Sequence, residues 1–274
     1  MSLTVLLSAM GLSGLKILDS LSITGNAIVI NQCGREAYEK IKEENRTIKY
    51  ICSKDTGLSR SRNLALKEAI RGRSASEIAD NELVIFCDND VRYLPHYEEK
   101  VERAFERHPE ADMLVFWIKR PERKKPIFKR ERAMGYISSM KIFSPEIACR
   151  LSAIRRAGLK LDTDFGAGAR YSMGEENIFL FDALKRGLRI VYIPLKLAEL
   201  IDTESTWFKG YNEAFFVNRG AGYYRMTKNF WFLLCLQFAL RKRRLYKGEI
   251  SICRALKAMA GGKHAYCRYR KKKG

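Results

Sequence analysis

Asp88 and Asp90 flank Asn89 at the end of the apolar run 83–87, in the stretch FCDNDVRY. Two carboxylates at this spacing, placed where a buried strand runs out, can hold a hard divalent cation such as Mg2+ or Mn2+, which takes oxygen ligands. A cation there would in turn hold a diphosphate. The same triplet also suits an ordinary turn, because Asp and Asn side chains bond their own backbone. A second feature is GLSRSRNLAL, 57–66, where a glycine and two serines lead into an amphipathic helix with Arg60 and Arg62 in its first turn. Helix N-termini attract anions and disfavour cations, so these arginines either sit in solvent or face an anion such as phosphate. The third is FGAGARYSMGEENIFLFDALKRG, 165–187, a glycine-rich loop running into a helix that starts Glu175-Glu176. Glutamates suit the first turn of any helix. A carboxylate beside a glycine-rich loop can also act as a general base.

These groups need elements to position them. Short, nearly continuous apolar runs lie at 3–9, 27–31, 48–52, 83–87, 113–118 and 189–194, as expected of strands buried on both faces. Helical patterns lie at 35–44, 61–72, 96–108, 145–158 and 175–187. The alternation predicts an α/β fold with a mostly parallel central sheet. Ligands of such sheets bind beyond the carboxyl ends of the strands. The first strand ends at Ser8, the second at Asn31 and Gln32, and the fourth at Asp88-Asn89-Asp90. If these strands are parallel neighbours, the groups converge on one rim.

The chain has 274 residues, 46% of them hydrophobic, and a net charge of +20. That charge is concentrated. Residues 225–274 carry fifteen Lys and Arg against one Glu, and residues 119–132 carry eight against two. The remainder is neutral, so the expectation is an ordinary globular body with two basic appendages. The seven cysteines are scattered, with no CxxC pair, which reads as reduced thiols of a cytoplasmic protein. The N-terminal stretch reads as a first strand and not as a signal peptide. The longest apolar run, 230–240, falls short of the roughly 20 residues a membrane span needs.

Taken in this order, CDND, GLSRSRN and FGAG…GEEN resemble the motifs of glycosyltransferase family 2, which has the GT-A fold. The resemblance extends over about residues 3–225. It is nearest to bacterial members that build cell-surface polysaccharide, through the strand end INQC (30–33) and the segment ESTWFKGYNEAFFVNRGA (204–221). It implies an inverting transferase moving a sugar from a nucleoside-diphosphate sugar, a UDP-sugar above all, to a saccharide or lipid-linked saccharide. By resemblance, Asp88 and Asp90 serve an Mn2+ or Mg2+ ion, Asp90 as the more direct ligand. Ser8, Asn31, Arg62, Asp88 and Asn89 border the nucleotide. Glu176, or its neighbour Glu175, takes the proton from the acceptor hydroxyl. The chain departs from the family where Glu176 replaces an Asp, and where Asn31-Gln32 replaces acidic residues. It also lacks a histidine before the serine-threonine segment, where Asp202 is the available oxygen ligand.

The expected organisation is a GT-A domain over 1–226 and a basic, helical C-terminal extension over 227–274. In that extension Trp231, Phe232, Leu234, Cys235 and Phe238 fall largely on one helical side and Arg241 to Arg244 follow. This reads as an interfacial helix meeting anionic lipid at the cytoplasmic face of a membrane, or as a helix packed on the domain with a solvated basic end. Two other classes compete with catalysis: an inactive transferase-like scaffold, and a basic nucleic-acid-binding protein. No nucleic-acid motif accompanies the charge, and a carboxylate-lined rim repels phosphate unless a metal is bound.

Overall fold

The computed structural model describes residues 1–74, 76–121, 123–201, 208 and 210–273. The chain divides into two compact units, one built from 1–161 and 179–203, the other from 162–178 and 204–274.

The first unit holds one sheet. In chain order its elements are β1 (Ser2–Met10), α1 (Ile17–Ser20), β2 (Asn26–Gln32), β3 (Ala37–Lys42), β4 (Thr47–Ser53), α2 (Leu58–Ala69), β5 (Glu82–Asp88) and β6 (Val91–Tyr93). There follow α3 (Tyr97–Arg107), β7 (Met113–Lys119), β8 (Arg132–Ala133), α4 (Tyr136–Ser139), β9 (Ile147–Arg150), α5 (Leu151–Ala157), α6 (Glu175–Lys185, of which this unit holds the part from Phe179 on) and β10 (Ile190–Leu200). The strand order is β3-β4-β2-β1-β5-β9-β7-β10-β6, with β8 on β10. β4, β2, β1 and β5 run parallel, as do β7 and β10, and β9 lies antiparallel between β5 and β7.

Alternation along the strands sorts side chains to two faces. Leu3, Val5, Leu7, Ala27, Val29, Ile85 and Cys87 join Val101, Ala104 and Phe105 of α3 in one buried cluster. Leu6, Ile28, Ile30, Val84 and Phe86 join Ala65 and Leu66 of α2, Ile154 of α5 and Phe179 of α6 in the other. The sheet is thus covered on both faces, which is why its central strands read as unbroken apolar runs. All six expected strands are present.

Two sequence expectations change. Residues 35–44 form no helix; β3 is an edge strand, antiparallel to β4. Its charges hide a two-residue period. The Tyr38 hydroxyl donates to Glu68 of α2 at 3.3 Å, whereas Ile41 packs on the α3 face. Exposed charges on an edge also discourage pairing with another chain. Residues 145–158 are not one helix either. Positions 147–150 are fully buried as β9, and the helix α5 begins only at Leu151 and ends at Gly158, whose φ of 56° suits glycine.

The second unit contains α7 (Glu213–Met226), α8 (Trp231–Arg241), α9 (Arg243–Tyr246) and α10 (Ile252–Lys273). α7 and α10 cross at backbone contact. A Cβ added to Gly220 would lie 2.0 Å from the Met259 carbonyl oxygen, and one added to Gly262 would lie 2.0 Å from that of Val217. α7 lies in one compact unit with the basic helices α8 to α10.

Candidate active site

α2 carries the site's framework. Its first turn is bonded to the ends of three adjacent strands. Ser8, Gln32 and Asp88 are even-numbered residues of β1, β2 and β5, and each lies on the α2 face. The Ser61 hydroxyl donates to Ser8 Oγ at 2.8 Å. The Gly57 backbone N–H donates to Gln32 Oε1 at 2.6 Å, from a glycine with φ of 116°. Arg62 Nη2 donates to both Asp88 oxygens, at 2.7 and 3.1 Å. The next residue, Asn63, brackets Leu161, donating to its carbonyl at 2.9 Å and accepting from its N–H at 2.8 Å. Every residue from Ser61 to Asn63 thus ties the helix to a separate part of the unit.

The anion that Arg62 requires is therefore supplied by the chain itself. Its guanidinium is 1% exposed and faces Asp88. Of the two alternatives the sequence leaves for these arginines, solvent or a nearby anion, Arg62 takes the second with a carboxylate of the chain as the anion. Arg60 remains exposed, 3.9 Å from Asp55. Asn31 points to the other face of β2. Its Oδ1 accepts from Leu12 N–H at 2.9 Å, and its Nδ2 donates to Leu12 O at 3.0 Å and to the Tyr50 hydroxyl at 2.7 Å. It is a bracket for the loop after β1, placed to shape the rim and not to reach far beyond it.

Asn89 and Asp90 form the turn between β5 and β6. Asn89 is exposed and Asp90 half-buried, and the Asp90 carbonyl accepts from Ile201 N–H at 2.9 Å. Beneath the turn, burial pushes the Cys87 thiol and the Tyr93 hydroxyl well above their usual pKa values. Both stay neutral. Among the described residues no three His, Cys, Asp or Glu side chains group as a metal cage. The donor set present is two carboxylates, Asp88, which faces Arg62, and Asp90. That fits an oxygen-seeking cation that completes its shell with ligand oxygens. Asp202 lies outside the described residues.

Glu175 and Glu176 open α6 and belong to the second unit. Glu175 is buried and Glu176 half-buried. Gly166, Gly168 and Gly174 of the preceding loop have φ of 105°, 77° and 91°, so the loop needs its glycines. The tail fixes this loop. Asp164 is buried and accepts from the Tyr269 hydroxyl at 2.9 Å and from Lys273 Nζ at 3.0 Å. Asp162 accepts from Arg225 Nε at 2.6 Å, and Asn218 Nδ2 donates to Ser172 at 2.8 Å. Phe165 stacks on Tyr171 and meets Tyr266, whose hydroxyl burial pushes up to about 12. The basic end of the chain is thus partly a fastening for the glycine-rich loop. The segment 119–132 is also anchored: Arg123 pairs with buried Glu146 at 2.7 Å, and Ile127 N–H donates to the Tyr192 hydroxyl at 3.0 Å.

Sequence reasoning singled out Ser8, Arg62 and the Asp pair but missed Ser61, Asn63 and Tyr50. The spacing of serine and asparagine around Arg62 was the available signal.

The mixed α/β architecture, with its ten-stranded and mostly parallel sheet, is a glycosyltransferase-like fold. It is shared with TarS of S. aureus. Residues 1–349 of that protein superpose with a TM-score of 0.58 at 12% identity, covering 99% of this chain and 92% of that one. The same TarS region in complex with UDP-GlcNAc gives a TM-score of 0.60 at 13% identity, with the same coverage. A longer TarS structure gives 0.59 at 15% identity, and there the match covers 92% of this chain but 46% of that one. No protein-family model and no curated protein matches the sequence.

Proposed function

We propose that this chain is an inverting glycosyltransferase that uses a nucleoside-diphosphate sugar, a UDP-sugar in particular, to extend a saccharide or lipid-linked saccharide of a cell-surface polysaccharide. The observation that carries the reading is the rim at Asp88–Asp90, built on a fold that matches nearly the whole chain to a protein solved with UDP-GlcNAc. The three motifs that resemble glycosyltransferase family 2 support it independently.

In this reading the ends of β1, β2 and β5 border the nucleotide. Arg62 holds Asp88 in place, and Asp90 and Asp88 would hold the Mn2+ or Mg2+ ion. When bound, such a cation offsets the charge developing on the departing diphosphate. Glu176 accepts the proton of the acceptor hydroxyl while that oxygen attacks the anomeric carbon, and the electron pair of the broken bond leaves with the diphosphate. Glu176 is favoured over Glu175 because it is the less buried of the two. An accessible carboxylate can reach the acceptor oxygen within hydrogen-bond distance, as a general base must.

The test is a panel of nucleoside-diphosphate sugars screened by thermal shift, with and without Mn2+, since a ligand stabilises in proportion to the logarithm of its concentration over Kd. UDP-sugars stabilise the wild type in the presence of Mn2+, and Asp90→Asn loses the shift while keeping its own melting temperature. Glu176→Gln keeps the shift and lowers turnover by roughly 10²–10⁴-fold. No shift with any donor, or full turnover in both Glu176→Gln and Glu175→Gln, overturns the reading.

A further inference from the structure

The helix α8 is apolar on two sides. Its inner side is packed: Leu234, Cys235 and Ala239 are buried, and the Phe238 ring lies 6.0 Å from Phe215 and 6.2 Å from Phe216. Its outer side is not. Phe232, Leu233, Leu236 and Leu240 are 52, 47, 42 and 56% exposed. At 100° per residue these four fall within an arc of about 100°. Phe230, immediately before the helix, is 61% exposed, and Leu245 in α9 is 53% exposed. The sequence pattern groups Trp231, Phe232, Leu234, Cys235 and Phe238 on one side, to meet lipid or to pack on the domain. Leu234 and Cys235 are packed, Trp231 and Phe238 are half-buried, and Phe232 faces water with Leu233, Leu236 and Leu240.

Six large apolar side chains on so short a stretch form a patch that a soluble monomer rarely leaves bare. The flanking charge is equally one-sided. No Asp, Glu, His, Lys or Arg occurs from 229 to 240, and Arg241, Lys242, Arg244 and Lys247 then follow, all exposed. Arg243 is turned inward, donating to the Ile250 and Lys247 carbonyls. The helix has eleven residues and so spans about 16 Å. Among the described residues, no helix is long and apolar enough to cross a membrane.

We infer that the outer face of α8, with the cations that follow it, docks this protein on an anionic lipid bilayer. Phe230, Phe232, Leu233, Leu236 and Leu240 enter the acyl boundary, and Arg241, Lys242, Arg244 and Lys247 meet the lipid phosphates. The charge selects this occupant over a second copy of the chain. A symmetric dimer about α8 would bring two sets of like cations together at the rim of the interface, which opposes association. An anionic bilayer offers the opposite sign beside an apolar layer. This surface stands whether or not the proposed transfer reaction is correct, because it rests only on exposure and charge within the helical unit.

The full chain is tested by flotation with vesicles of phosphatidylcholine alone and with vesicles that also contain phosphatidylglycerol. The wild type floats with the anionic vesicles, floats poorly with the neutral ones, and is released as salt rises, since the screening length is about 8 Å at physiological ionic strength. The double variant Leu236→Glu, Leu240→Glu changes exposed positions only, and its circular dichroism and melting temperature match the wild type while flotation is lost. Arg241→Ala with Arg244→Ala weakens binding by about tenfold or more. Three results overturn the inference: no flotation of wild type with anionic vesicles, unchanged flotation of both folded double variants, or a wild-type dimer in sedimentation that Leu236→Glu, Leu240→Glu dissolves while no vesicle binding is seen. Should Leu236→Glu, Leu240→Glu prove unfolded, the arginine variant and the salt series decide alone.

Discussion

Arg62 gives the rim its shape. A guanidinium presents donors in a fixed fork, so a two-oxygen contact orients a carboxylate as a lysine cannot. With Asp88 oriented in this way, the turn at 89–90 follows with its exposed edge outward. Removing one partner of a pair this buried leaves the other charge stranded, at a cost of about 3 kcal/mol or more. Arg62→Met and Asp88→Asn are each therefore expected to lower the urea midpoint. The double variant should recover part of the loss. A double-mutant cycle on unfolding free energies measures the coupling. Additive effects within about 0.5 kcal/mol would show that the pair is not a unit.

At the scale of elements, the crossing of α7 and α10 is the tightest contact in the helical unit, and it depends on two glycines. Gly262→Ala places a methyl group against the backbone of Val217, and backbone yields far less than a side chain. The expected loss is about 3 kcal/mol, read as a lower melting temperature. The neighbouring Gly261→Ala meets nothing within 4 Å and sits inside the same helix, so it should gain about 1 kcal/mol from helix propensity. Equal effects of the two would refute the close crossing. These elements also show what the sequence made legible. The six core strands were readable because burial on both faces leaves a continuous apolar run. β3 was not, because an edge strand with charged side chains has the composition of a surface helix. β9 was absorbed into α5 because four buried residues carry too little period to separate from the helix they precede. In the site, the Asp88–Asp90 turn was visible as paired acids at a strand end, and Glu175-Glu176 as paired acids after a glycine-rich loop. The pairing of Arg62 with Asp88 was not, since it joins residues 26 apart through the sheet order.

At the scale of the whole molecule, the basic C-terminal helix is less an appendage than its charge suggests. Part of its charge answers Asp164, and its apolar face lies on α7. Deleting residues 252–273 should therefore leave the sheet unit folded while the loop 162–178 loses its partners. Limited proteolysis is expected to cut that loop in the truncated chain and to spare it in the full one, with the strand signal in circular dichroism kept in both. Unchanged resistance of the loop would show that the helix contributes nothing to it. Vesicle binding is a separate matter, since its surface lies on α8 and remains in the truncated chain.

The contact between Asp164 and Lys273 joins positions 109 residues apart. Translation makes that separation a delay. The sheet has all its strands once residue 200 has been made, yet the loop leading to Glu175 must wait for residue 273. At about 5–20 residues per second this interval lasts roughly 4–15 s. During synthesis the chain thus acquires its rim of strand ends before it can fasten the loop in front of its glutamates. In a ribosome-bound chain the strands are thus complete while the loop that leads to Glu175 is still without its C-terminal fastening.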